Sequence, residues 1–138
     1  MKQAIIIGAS SGIGWELAVQ LAAKGYQLGL MARRSGCLEK LAGKLPGEHF
    51  IQITDVSKAE QSQAELTALI EKMGDVDLIV VNSGVGNKER KLDWVVEREM
   101  IDVNVRGFAA MSLTSMNYFT ERGAGHLVGV SSCAAHFS

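Results

Sequence analysis

Residues 3–14 of the chain read QAIIIGASSGIG, an apolar run followed at once by a glycine-rich turn. The run over residues 3–7 is rich in β-branched side chains, which is typical of a strand buried on both faces of a parallel sheet. Helical spacing of apolar residues begins at Gly14. A strand, a glycine-rich turn and a helix in this order predict a phosphate-binding turn at the front of a nucleotide-binding domain.

The glycines of this turn follow the spacing Gly-x-x-x-Gly-x-Gly, and each has a physical role. Gly8 lets the chain turn off the strand, Gly12 leaves room for a diphosphate beside the backbone, and Gly14 allows the helix to pack closely on the sheet. Amides and the helix dipole then attract phosphate. The other predicted cofactor-binding residues of the turn are Ser10, Ser11 and Ile13. The alternative is a glycine-rich turn without a ligand; a P-loop is disfavoured because no Gly-Lys-Ser/Thr is present.

Strand and helix patterns alternate along the whole chain with short connections. Strands are predicted over residues 3–7, 27–31, 49–53, 78–81 and 126–130, and helices over about 14–24, 35–45, 57–73 and 93–119. Ser35 and Ser57 are predicted N-caps. The pattern predicts an α/β fold of the Rossmann type, a doubly wound parallel sheet in three α/β/α layers, truncated after the fifth strand. We expect a single domain over residues 1–138.

The composition is that of an ordinary soluble protein, with 47% hydrophobic and 21% charged residues and a net charge of −1. This balance predicts no general attraction to nucleic acid or to an anionic membrane. No apolar stretch approaches the roughly 20 residues that a membrane helix needs. Cys37 and Cys133 have no metal-ligand or redox spacing, and His49 and His126 have no matching ligand set, so we predict no metal site. These features favour a cytoplasmic location.

Four further segments share their order with a known family. They are Asp55-Val56 after the third strand, Asn82-Ser83-Gly84 after the fourth, Asn104 in the long helix and Ser132 after the fifth strand. Together with the glycine spacing, they resemble the short-chain dehydrogenase/reductase family over the whole chain, with Ser83 as a variant. The resemblance implies that Asp55-Val56 and Asn82-Ser83-Gly84 bind the cofactor, with Asp55 at the adenine, and that Asn104 and Ser132 are catalytic. It also implies hydride transfer between a nicotinamide cofactor and a carbonyl or alcohol substrate.

The cofactor preference depends on the end of the second strand, which reads Met31-Ala32-Arg33-Arg34. An acidic residue here would bind the 2′-hydroxyl of NAD, whereas arginine accommodates the 2′-phosphate of NADP. A guanidinium can bind phosphate in a bidentate way. We therefore predict NADP(H) over NAD(H), with Arg33 as the first contact and Arg34 as the second. The alternative is that both arginines are solvated loop charges.

In the resembled family, a tyrosine transfers the proton and a lysine lowers its pKa. This Tyr-x-x-x-Lys pair should follow Ser132 at a distance that lies beyond Ser138. Tyr118 and Arg122 have a related spacing but precede Ser132, so we interpret Tyr118 as packing and Arg122 as a solvated charge near a helix end. We expect the chain to be the N-terminal portion of a reductase that lacks normal catalysis by itself.

Several alternatives stay open at this point. Asn104 could be a polar residue that binds backbone, and Ser132 a strand-end cap. The chain could also be a non-catalytic nucleotide-binding or regulatory protein, since a fold alone does not define a function. A hydrolase pair of Ser132 and His136 is disfavoured because no acid follows to orient the histidine. The resemblance implies a homo-oligomer through residues 93–119, and Glu97, Glu99 and Asp102 are predicted to be solvated charges on that helix.

Overall fold

A computed structural model describes residues 2–10, 12–82 and 93–130 of the chain. Within these residues, five strands form one sheet: β1 (Gln3–Ile7), β2 (Gln27–Ala32), β3 (Phe50–Ile53), β4 (Leu78–Val81) and β5 (His126–Gly129). The helices are α1 (Gly12–Ala23), α2 (Ser35–Lys44), α3 (Ala59–Met73), α4 (Trp94–Ile101), a π-helical segment (Asp102–Gly107) and α5 (Phe108–Arg122).

All strand pairs in the sheet are parallel, and the strand order is β3-β2-β1-β4-β5. The chain builds outward from β1 through β2 to β3, and then returns to place β4 on the other side of β1. In doubly wound folds, ligands bind in a crevice at the carboxyl ends of the two strands where the order reverses, which here are β1 and β4. The predicted doubly wound parallel sheet is confirmed.

Residues 4–7 of β1 point alternately into two separate cores, which is why this part of the strand is apolar. Ile5 and Ile7 pack with buried residues of α3 and α5 on one face, and Ala4 and Ile6 pack with α1 and α2 on the other. Successive side chains of a strand point to opposite faces, so a continuous apolar run is the mark of a strand covered on both sides. The three predicted layers are confirmed.

The predicted N-caps are wrong by one residue each. Arg34 occupies the cap position of α2, because the Leu38 amide already donates to the Arg34 carbonyl, so Ser35 is the first helical residue. Lys58 occupies the cap position of α3. The Ser57 hydroxyl donates instead to Asp55 Oδ1 at 2.7 Å, so this side chain serves the preceding loop rather than the helix.

The single regular helix predicted over residues 93–119 is interrupted. Asp93 caps its start, with its side chain accepting the Val95 amide at 2.9 Å, and the helical stretch extends to Arg122 before Gly123. Residues 102–107 between these ends are π-helical. Among the described residues, no helix is long and apolar enough to cross a membrane.

Arg122 is not a solvated charge, which corrects the prediction made for it. Its guanidinium contacts Asp75 Oδ1 at 2.6 Å, Asp77 Oδ1 at 2.7 Å and the Ala124 carbonyl at 2.8 Å. Asp77 also accepts the Gln3 backbone amide through Oδ2 at 2.9 Å. The network therefore ties the end of α5 to the starts of β4 and β1, at the amino edge of the sheet and away from the crevice.

This network predicts a pH dependence of stability. The Gln3 amide and the Arg122 guanidinium hold the pKa of Asp77 below its usual value despite partial burial. A carboxyl with a lowered pKa in the folded chain stabilises it above the unfolded pKa of about 4, and that contribution is lost as the pH falls through the folded pKa. We expect Asp77→Asn to lose stability at pH 6 and to have a shallower acid dependence than the wild type, as measured by urea unfolding from pH 6 to 3. A slope unchanged from the wild type would contradict this, and Glu60→Gln is the exposed control.

Tyr118 supports the fold through its hydroxyl as well as its ring. The hydroxyl oxygen accepts the backbone amide of Val76, a fully buried residue, at 2.9 Å. We expect Tyr118→Phe to lower the free energy of unfolding by about 1–2 kcal/mol, because the buried amide loses its acceptor. Urea unfolding measures the loss. The exposed variant Thr120→Ala on the same helix should stay within about 0.5 kcal/mol of the wild type, and an equally small change in Tyr118→Phe would refute the role of the hydroxyl.

Candidate functional site

The glycine-rich turn leaves the central strand and is anchored to the neighbouring one. Gly8 has φ of 89°, a left-handed conformation that favours glycine. The amides of Gly8 and Ala9 donate to the Met31 carbonyl at the end of β2, at 2.7 and 3.1 Å. Helix α1 begins at Gly12, so the first amides of the helix lie at the carboxyl edge of the sheet without intrahelical acceptors. Ser10 lies in this turn and Ile13 in the first turn of α1, whereas Ser11 lies outside the described residues.

Gly14 packs where no side chain fits. A Cβ placed on Gly14 would overlap the Gly8 carbonyl oxygen and would lie 2.6 Å from Asn82 Nδ2. Asn82, the residue after β4, donates from the same amide group to the Gly8 carbonyl at 3.3 Å. The turn, the start of α1 and the end of β4 are thus held together around one carbonyl. Asn82 therefore has a structural role in holding the turn, and Ser83 and Gly84 lie outside the described residues.

The loop after β3 is organised around Asp55. Its Oδ1 accepts both the Ser57 amide at 3.0 Å and the Ser57 hydroxyl at 2.7 Å, which forms an Asx turn. Burial by itself would raise the pKa of Asp55, but the bonds from Ser57 and the nearby charges of Arg33 and Lys58 outweigh it and leave the pKa below its usual value. Asp55 is therefore ionised at neutral pH. The next residue, Val56, is buried in the core.

Arg33 lies among acidic groups at the end of β2. Its Nη1 lies 3.7 Å from Glu99 Oε1 of α4, and its charge lowers the pKa of Asp55. The guanidinium is therefore directed toward the loop after β3 and toward α4. Arg34 is exposed at the start of α2. Glu99 is 57% exposed, in line with the predicted solvated charge, and it also pairs with Arg33 across the carboxyl edge.

The π-helical segment places Asn104 beside this edge. A Cβ on Gly107 would lie only 2.6 Å from the Val56 carbonyl oxygen, so the segment packs directly on the loop after β3. Val103 belongs to the same buried cluster as Val56. Single π-helical turns within α-helices occur often at functional sites. The structure thus brings the regions of Gly8, Asn82, Asp55 and Asn104 to one edge of the sheet, while Ser132 lies outside the described residues.

Three features of this site were not predicted from the sequence. They are the Asx turn of Asp55, the close packing at Gly107 and the pairing of Arg33 with Glu99. The first had a readable signal, because Asp-x-Ser after a strand is typical of such a turn. The other two join residues distant in sequence, and no local pattern announces them. Among the described residues, no group of three or more His, Cys, Asp or Glu could hold a metal ion.

Comparison with known proteins agrees with this geometry. The family model for short chain dehydrogenases matches residues 2–138 of the chain. The chain belongs to the short-chain dehydrogenase family. An uncharacterized oxidoreductase from Myxococcus xanthus is 37% identical over 139 residues, which cover 96% of this chain and 54% of the relative. A second, from Listeria innocua, is 36% identical over 141 residues, which cover 96% of this chain and 56% of the relative.

Solved structures of the family have the same fold. An alcohol dehydrogenase from the archaeon Thermococcus sibiricus, complexed with 5-hydroxy-NADP, aligns with a TM-score of 0.81 at 37% identity and covers 93% of this chain and 57% of its own. An actinorhodin polyketide ketoreductase with NADPH aligns with a TM-score of 0.84 at 27% identity. The alignment covers 95% of this chain and 53% of the ketoreductase chain. The chain spans about half the length of the relatives it matches. It has the nucleotide-binding fold of an oxidoreductase family.

Proposed function

We propose that the chain binds NADP(H) in preference to NAD(H) in the crevice between the ends of β1 and β4. The observation that carries this proposal is the position of Arg33, a half-exposed guanidinium at the end of β2 on the nucleotide-binding edge. A guanidinium suits a 2′-phosphate through bidentate hydrogen bonds. Two family members cited above were solved with NADPH or an NADP derivative, which supports the same preference.

The turn fits the diphosphate of such a cofactor. A Cβ on Gly12 would meet no atom within 4 Å, so the backbone at the start of α1 is open on that side. Gly14 and Gly8, in contrast, are in tight contact, which holds the helix start in place. Open space beside fixed amides is what a phosphate needs at a helix N-terminus. We assign the diphosphate to residues 8–14, the adenosine to Asp55, Val56 and Arg33, and further contacts to Arg34 and residues 82–84.

The proposed chemistry is oxidation or reduction of a carbonyl or alcohol substrate, for which the bound nicotinamide supplies or accepts the hydride. Asn104 and Ser132 are the proposed catalytic residues of this chain. Ser132 would donate a hydrogen bond to the substrate oxygen, and Asn104 would hold a water in the path of the proton. The position of Asn104 in a π-helical segment packed on the loop after β3 supports its role.

Two measurements test this function. Calorimetric titration of the chain should give tighter binding of NADPH than of NADH, and tighter binding of NADH would reject the cofactor assignment. The 138 residues contain no Tyr-x-x-x-Lys. We therefore expect no robust turnover of generic carbonyls with NADPH, because the proton donor is missing. Robust turnover by a mass-verified chain would contradict the expectation that these 138 residues lack normal catalysis.

The fold is equally compatible with a second candidate, a non-catalytic nucleotide-binding or regulatory protein. Nucleotide binding by a full-length protein whose sequence lacks Tyr-x-x-x-Lys would favour this candidate.

We further propose a cytoplasmic homo-oligomer that uses the long helix. Exposed apolar side chains at Trp94, Val105 and Leu113, between 56% and 67% accessible, support such an interface.

A further inference from the structure

The ion pair between Arg33 and Glu99 spans the carboxyl edge of the sheet. Arg33 follows β2, whereas Glu99 belongs to α4, which follows β4 in the chain. Strand β1 lies between these two strands. The pair therefore joins the segment after β2 to the helix after β4, two strands that β1 separates in the sheet. Because Arg33 is assigned to the adenosine, Glu99 lies at the adenosine end of the proposed cofactor site.

This carboxylate opposes the ligand that Arg33 is proposed to bind. With Nη1 of Arg33 and Oε1 of Glu99 only 3.7 Å apart, a phosphate on the same guanidinium would lie close to a second anion. Like charges at such distances repel even when solvent screens them. The 2′-hydroxyl of NAD(H) carries no charge and meets no such repulsion. The effect of Glu99 is therefore specific to the phosphorylated cofactor.

Asp55 is the other acid near Arg33, but its carboxylate is held by two hydrogen bonds from Ser57. Glu99 is held less firmly. Its side chain is 57% exposed and that of Arg33 is 48% exposed. Exposed ion pairs of this kind contribute little to stability, so Glu99 can be displaced and weakens phosphate binding without blocking it.

We propose that Glu99 is a specificity-determining residue. Its carboxylate repels the 2′-phosphate at Arg33 and so reduces the ratio by which NADP(H) is bound more tightly than NAD(H). The inference rests on the proposed function, because it needs the 2′-phosphate to bind at Arg33. Helix α4 thereby contributes to the cofactor specificity, together with the residues that follow β2.

The test is the variant Glu99→Gln, which removes the charge and keeps the shape. At low salt, calorimetric titration should show NADPH bound about three- to fivefold more tightly than by the wild type, with NADH affinity unchanged. The gain should shrink at about 0.5 M NaCl, because salt screens charges at this separation. The control is Glu97→Gln, with the same loss of charge two residues away on a different side of α4. It should leave the ratio of the two affinities unchanged.

The outcomes separate this inference from the function on which it rests. A wild-type chain that binds neither nucleotide would overturn both together. Wild-type preference for NADPH with an unchanged affinity ratio in Glu99→Gln would overturn the inference alone. Weaker NADPH binding by Glu99→Gln would also overturn it, since the carboxylate would then be orienting Arg33 for the phosphate instead of opposing it.

Discussion

Replacing Gly14 by alanine is expected to weaken NADPH binding about 10- to 100-fold, the equivalent of losing one charge-assisted hydrogen bond to the diphosphate. The added Cβ would overlap the Gly8 carbonyl oxygen and crowd Asn82 Nδ2. The Gly8 carbonyl is part of the backbone and cannot rotate out of the way as the end of a side chain can. The start of α1 must therefore move away from the turn. Its amides would then no longer converge on the phosphate position. Overpacking of this kind should also cost about 1–3 kcal/mol in unfolding free energy.

Calorimetric titration with NADPH and urea unfolding measure these two effects. The matched control is Gly43→Ala, a glycine in α2 whose added Cβ would meet no atom within 4 Å. That variant should bind NADPH like the wild type and be as stable or slightly more stable, because alanine favours a helix over glycine by up to about 1 kcal/mol. Wild-type NADPH affinity in a folded Gly14→Ala variant would show that the diphosphate does not rest on this helix start.

Arg33→Met is expected to weaken NADPH binding about 10- to 100-fold while leaving NADH binding nearly unchanged. Methionine keeps much of the apolar stem and removes the guanidinium. The loss corresponds to about 1.5–3 kcal/mol for a charge-assisted hydrogen bond to phosphate. NADH lacks the 2′-phosphate and loses no such bond, so the ratio of the two affinities should fall by the same factor.

Arg34→Met is the matched control, because it removes the same charge one residue further along. Arg34 lies at the cap position of α2, whereas Arg33 is near Asp55 and Glu99. We therefore expect a clearly smaller loss in Arg34→Met, and calorimetric titrations with both nucleotides decide between the two. Equal losses of NADPH affinity in the two variants, or an equal loss of NADH affinity in Arg33→Met, would remove Arg33 from the role proposed for it.

The local sequence correctly predicted the strands of the sheet and the glycine-rich turn. The predicted β1 and β4 match the observed Gln3–Ile7 and Leu78–Val81, and the other three strands differ by a residue at one end. These segments were readable because a strand covered on both faces must be apolar at successive positions. Gly74 was likewise correctly predicted to end α3, since its φ of 94° suits glycine. Signals of this kind depend on neighbouring residues alone.

Caps and charges were harder to predict, because they depend on which partner is nearest in space. Ser57 has the residue type of an N-cap, but Asp55 takes its hydroxyl. Arg122 looked like a solvated helix-end charge, but the turn before β4 brings Asp75 and Asp77 within hydrogen-bonding distance. All three aspartates are present in the sequence, but the folded backbone decides which side chains they meet.

The sequence alone determined the parallel α/β architecture, the glycine turn at its centre and the family to which the chain is related, since apolar periodicity and glycine spacing are local properties. Only the tertiary structure decided how the long helix meets the site. Gly107 lies against the Val56 carbonyl, and Glu99 pairs with Arg33. Each of these contacts joins segments that are far apart along the chain, so no periodicity could encode it, and packing of the assembled layers alone brings the atoms together.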